Sequence, residues 1–313
     1  MRMAIGNANR GLIAVDKMGG KVLFIDPATH ATIKTLDGFQ RNPHELLVSE
    51  QTGLAYVPIF GDGVHGRNPN PGHTLCVIDL VARECVADID LTPLVAPHTL
   101  RFGPDGLIYM TCENSAAVAI IDPTRRVMVG MIETGSTNGH RLIVAPDGER
   151  LYTENEEDAS ISVIDLPKRK LLGHYAAPQA LAGIEISPDG RTLIAVSDED
   201  PVVFLIEAAN GRLSDTVKLD GVPKAAQIAR FSPDQSLLAI TSLQSGTISL
   251  MAPSLRDQTC IAVGKQPMDM AFHGDELFIG CQGDGSVHVI DVPGRRWKTS
   301  FAAGVGCECL GFF

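Results

Sequence analysis

Three histidines, His44, His98 and His140, each open an apolar run, in PHEL, PHTL and GHRL. Neutral imidazole is the commonest side-chain ligand for divalent transition metals. Three protein ligands with one open position make a catalytic arrangement. A set of His44, His98 and His140 therefore points to a bound Zn, Fe, Mn, Cu or Ni ion that polarises a carbonyl or generates hydroxide. Glu308, in GCECLGFF, is the expected carboxylate beside them, as a fourth ligand or just outside the shell. The competing reading is that histidines opening strands bond neighbouring backbone and trapped water. No local motif such as HExxH is present. The metal reading thus depends on whether the three occupy equivalent places in a larger pattern.

They do. Strand-like segments end in an acidic residue at Asp26, Asp79, Asp122, Asp165, Glu207 and Asp291, with a degenerate copy at Met251. A second marker runs out of phase: GPDG at 103–106, APDG at 145–148, SPDG at 187–190 and SPDQ at 232–235. Proline presets φ for the turn, glycine takes positive φ, and aspartate bonds the local backbone. Both markers are thus explained by turn chemistry alone. Each unit reads as four short strands in about 42 residues, repeated seven times, which is the pattern of a β-propeller. The N-terminal stretch supplies three strands and GCECLGFF the fourth. The seventh blade is therefore predicted to close by pairing the chain ends, which hides an open edge. The expectation is an all-β, seven-bladed propeller forming a single domain over 1–313.

The SPDG…VID unit resembles the YVTN-repeat propellers, a group that includes YncE-like proteins and lactonase-type seven-bladed propellers. The resemblance covers nearly the whole chain. It implies fold strongly and function weakly, because these propellers include hydrolases, binding proteins and proteins of unknown role.

Aligned on the turn proline, the residue opening each first strand is His98, His140, Ala182 or Gln227. Weaker copies put His44, Met268 and Glu308 at that place. Three consecutive blades thus carry histidine at the expected channel mouth. The unit after His44 is about 12 residues longer than the others, and the excess lies in 60–73, FGDGVHGRNPNPGH. It is read as a lid or rim contributing His65 and His73. Together with Arg41, Asp62 and Arg141 these are the expected substrate-binding groups. Glu113 or Glu154 is expected to handle the proton, and Glu156 stands in a corresponding loop. The remaining histidines, His30, His174, His273 and His288, read as structural or solvated.

A formal charge of −11 and scattered basic residues argue against nucleic acid as the partner. No apolar run reaches the roughly 20 residues of a bilayer span, so no membrane role is expected. Seven irregularly spaced cysteines fit reduced thiols and a cytoplasmic default, although a removed export signal is compatible with the chain. The functional expectation is a metal-dependent enzyme acting on a small polar molecule, a lactone or ester hydrolase or else a lyase or isomerase. The alternative is a non-enzymatic YncE-like propeller that binds a protein or peptide. The scarcity of aromatic anchors, one Trp and four Tyr, weighs against it.

Overall fold

The computed structural model describes residues 11–64 and 67–313. Seven antiparallel sheets of the expected kind fill them, each built on four strand positions, with two short 3₁₀ turns as the helical content of the named elements. The chain is a seven-bladed, all-β propeller. It comprises two compact units, one running to His98 and resuming at Pro267–Phe313, the other Thr99–Gln266.

In the first unit, Leu12–Asp16 lies between Lys21–Ile25 and the C-terminal strand Cys307–Phe312, and Thr32–Leu36 forms the outer edge. The chain ends thus share one blade, as the repeat count requires. Exposure rises outward across this sheet. Leu12–Asp16 is wholly buried, Lys21–Ile25 nearly so, and Thr32–Leu36 is half-buried to exposed. That gradient explains why inner strands read as unbroken apolar runs while outer ones alternate.

The turn markers behave as local chemistry demands. Asp26 Oδ1 accepts the N–H groups of Ala28 and Thr29, and Asp79 and Asp122 do the same two and three residues on. In the PDG turns Asp105, Asp147 and Asp189 each accept the N–H two residues ahead. Gly106, Gly148 and Gly190 take φ of 76°, 73° and 72°. In the degenerate SPDQ copy, Gln235 adopts φ of 61° at the same place. An L-residue bears that conformation at some cost, so the turn geometry outlasts its preferred residue.

In the second unit, strands over 99–133, 139–176, 181–218 and 229–262 form successive blades in chain order. Neighbours are stapled at their inner strands. Thr111 Oγ1 donates to the carbonyl of His140 at 2.7 Å, and a Cβ on Gly183 would come within 2.3 Å of the Gln227 carbonyl oxygen.

Candidate functional site

In the first unit, the opening strand of the 42–90 blade is interrupted. Asn42–Pro43 and Leu47–Ser49 both pair with Leu54–Gly61, and between them the His44 N–H donates to the Pro58 carbonyl. In a continuous strand, adjacent side chains point to opposite faces. The interruption lets His44 and Glu45 reach one volume. With His98 they present one ligand atom each, all within 4.8 Å of one another. The His44 and His98 rings meet edge to face at 4.2 Å between centroids, and Phe60 stands edge-on to both. None of the three residues is more than 3% exposed.

His44 is held from both sides. Its Nδ1 lies 2.9 Å from Glu308 Oε1, and its Nε2 lies 3.2 Å from Lys17 Nζ. Lys17 also pairs with Glu308 at 3.3 Å, and Gln282 Nε2 donates to Glu308 Oε2 at 2.7 Å. Burial pulls the His44 pKa below its ordinary value against the opposing Glu308 carboxylate, so the ring is neutral at neutral pH. Burial pushes Glu308 up, but His44 and Lys17 outweigh it and hold the carboxyl at about 2. With the ring neutral, the standing positive charge beside Glu308 is the Lys17 ammonium. Glu45 accepts from Cys309 Sγ through one oxygen and faces His98 Nδ1 at 3.9 Å through the other.

A carboxylate on one ring nitrogen is how proteins aim the other at a metal. Glu308 Oε1 lies at the right distance from His44 Nδ1 for that relation, 2.9 Å, without a formed hydrogen bond, and the other ring nitrogen faces the Lys17 amine. The donor set of two imidazoles and a carboxylate suits a divalent transition ion. An ion bound through His44 Nε2 must displace Lys17.

The second unit builds a similar pair. His140 Nδ1 lies 2.6 Å from Glu154 Oε1, and the Arg141 N–H donates to the same oxygen at 3.0 Å. Glu156 Oε2 lies 3.7 Å from that ring nitrogen. Burial lowers the His140 pKa, but Glu156 and Glu154 outweigh it and raise it. Glu154 is fully buried, which raises its own pKa against the pull of His140, and its Oε2 has no hydrogen-bond partner among the described residues. Glu154 sits inside the strand Arg150–Asn155, and Glu113 and Glu156 open the two 3₁₀ turns; of these only Glu156 is not fully buried.

Asp198 belongs to the same acidic group. Burial, with Glu156 and Glu154 nearby, pushes its carboxyl up to about 6. Side-chain carboxyl NMR is expected to show Asp198 titrating near pH 6, and Glu156→Gln should lower that midpoint. A midpoint near the ordinary aspartate value of about 4 in the wild type would contradict this assignment.

The expected substrate groups divide. Arg41 pairs with Asp62 at 3.5 Å, both more than 40% exposed. Arg41 and His73 also line one cavity of about 70 Å³ with Gln40 and Thr74. His73 is not in the loop, as expected, but in the strand Pro71–Asp79, with Nδ1 3.1 Å from Asp90. The correction has a simple cause: the hairpin ladder continues to the Gly61–Pro71 pair and leaves only 62–70 outside the strands. Arg141 is buried rather than lining that cavity. His65 lies outside the described residues. Of the other histidines, His30 and His273 stack on Phe301 and Phe312, His174 bonds the Thr134 carbonyl, and Trp297 donates to His288.

Lys17 and Glu45 escape sequence reasoning. Strand alternation sends Glu45 to the face opposite His44, and Lys17 follows Leu12–Asp16 in what reads as an ordinary turn. The one available signal was an acidic residue next to an aligned histidine in PHEL.

No protein-family model matches the chain. Over 181 residues it is 25% identical to an uncharacterized WD repeat-containing protein of Synechocystis, an alignment covering 56% of this chain. The aligned part spans half the length of that relative. Three solved structures are similar over most of both chains. Periplasmic gluconolactonase of Pseudomonas aeruginosa gives a TM-score of 0.76 at 16% identity, covering 97% of this chain and 98% of that one. Kuenenia stuttgartiensis hydrazine synthase gives 0.71 at 17%, covering 88% and 92%. A functionally unknown protein of Desulfotomaculum acetoxidans gives 0.79 at 11%, covering 96% and 98%. The likeness is one of fold. Neither these structures nor the Synechocystis relative shows membership of the YVTN-repeat group. Among the described residues, no helix is long and apolar enough to cross a membrane.

Proposed function

We propose that this protein is a metal-dependent hydrolase of a small lactone or ester, with the ion held by His44, Glu45 and His98. The observation that supports it most is the convergence of those three buried donors within 4.8 Å. The fold likeness to a gluconolactonase supports the choice of lactone. An ion bound there supplies Lewis-acid polarisation of the substrate carbonyl. The chain's own contributions are distinct. Glu308 would orient the His44 ring, Lys17 balances Glu308, and Glu45 would offer Oε1, the oxygen that faces His98, while Oε2 keeps the Cys309 thiol. Glu154, with one oxygen unpartnered, is the base we assign, and Glu113 is the alternative. Alignment across the blades adds His140 as a further ligand. The cytoplasm remains our assignment of compartment, on the seven free thiols.

The test is elemental analysis of protein grown with each of Zn, Mn, Fe, Ni and Cu, together with hydrolysis of an aldonic δ-lactone followed by acid release. At least about one ion per chain is expected in the wild type. His98→Ala should lower the ion content by about one per chain and abolish turnover, Glu308→Gln should weaken binding about 10–100-fold, and His140→Ala decides whether that residue shares the ion. Wild-type protein that takes up none of the five metals sinks the proposal. Metal without turnover would make the ion structural. A non-enzymatic binding role would then be favoured by the outer strand Val127–Glu133, which exposes Val127, Val129 and Met131 at 38–49%.

A further inference from the structure

A second group of metal-ligating side chains lies in the first unit, away from the histidines. Cys76 Sγ, Cys85 Sγ and a carboxylate oxygen of Asp88 all fall within 4.8 Å of one another. Cys76 is fully buried in the strand Pro71–Asp79, while Cys85 and Asp88 are exposed on the outer strand Glu84–Asp90. We infer that these three side chains form a binding site for a thiophilic divalent cation of the zinc type, with water completing the shell on the exposed side.

The sheet register creates the grouping. Cys76 stands opposite Asp88, and Val77 opposite Ala87. A register slip then places Cys85, not Val86, opposite Ile78. Directly opposed residues of an antiparallel pair share a face, and so do residues two apart on one strand. Without the slip Cys85 would point away from Cys76; with it, both thiols and the carboxylate share one face. Comparable slips occur in other blades, but the residue at the place of Cys85 there is Thr32, Met128, Leu171, Leu213 or Trp297. Among the described residues, this is the slip that carries thiols on both of its strands.

The chemistry fits a cation. Cys85 Sγ is 3.8 Å from Asp88 Oδ1, close to the roughly 3.5–3.8 Å between ligand atoms of a tetrahedral zinc site. Among the described residues, no lysine or arginine pairs with Asp88. Two thiols and a carboxylate thus share a face without a counter-charge, and two thiolate ligands favour zinc and its heavier congeners over magnesium or calcium. The bound ion would tie the outermost strand of the blade to its neighbour.

Cadmium is the probe, because thiolate-to-cadmium charge transfer gives an ultraviolet band that histidine and carboxylate ligands do not. Reduced, chelator-stripped protein titrated with Cd²⁺ is expected to saturate that band within about two equivalents, because the histidine centre takes up an ion that gives no such band. Cys85→Ser and Asp88→Asn, both at exposed positions, should weaken the transition at least about tenfold with the melting temperature of metal-free protein unchanged. Cys260→Ser and His98→Ala should leave the band as it is. A missing band in the wild type, or an equal one in Cys85→Ser, overturns the site. Loss of the band in His98→Ala does so too. The His98 variant keeps this result separate from the fate of the proposed hydrolase centre.

Discussion

A chain ending at Gly306 is expected to lose its cooperative fold. Among the described residues, Cys307–Phe312 is the strand that pairs with one edge of Leu12–Asp16, whose side chains are all buried. Removing it bares Leu12, Ile13 and Val15 and discards Leu310 and Phe313, each at most 4% exposed. Burying one such side chain contributes about 1.5–3 kcal/mol, so five of them reach the whole stability of an ordinary domain, about 5–15 kcal/mol. The truncation also leaves a bare strand edge, an invitation to aggregate. Thermal unfolding followed by near-ultraviolet circular dichroism reads the result. A cooperative transition within about 5 °C of the full chain would show that this closure is dispensable.

Lys17→Met should be the most damaging single substitution near the histidines in metal-free protein. Lys17 is 3% exposed and Glu308 1%, and the substitution leaves the carboxylate buried without its cation. Breaking a buried pair from one side costs about 3–5 kcal/mol, whereas replacing both partners is far milder. Adding Glu308→Gln to the same chain should therefore restore most of the loss in urea titrations with chelator present. If the double variant is no better than Lys17→Met, the pair is not what the substitution breaks. In the proposed metal-bound state the order changes, because Lys17 competes for His44 Nε2. Lys17→Met should then bind the ion more tightly than the wild type.

These two substitutions mark how far the amino-acid sequence could be read. PDG and VID recur because a turn is set by its own few residues, and each aspartate bonds backbone two or three positions away. Those contacts survive any uncertainty about long-range structure. The blade count and the pairing of the chain ends follow from them. A fixed offset from the turn is also what groups His44, His98 and His140 in the sequence, although His44 stands between two short strands rather than inside one. Such an offset says nothing of partners. It placed Glu308 near His44 correctly but not the ammonium group between them.

Sequence by itself determined the propeller and its seven repeats, because both rest on short-range turn chemistry and strand periodicity. Tertiary structure alone decided that Lys17 meets Glu308 across 291 residues, that Glu45 turns toward His98, and that Cys85 faces Cys76. The reason is physical. A one-residue break or slip in a strand reverses the face of a side chain at little cost to the pattern. The site is built where the periodicity fails, at the interrupted strand around His44.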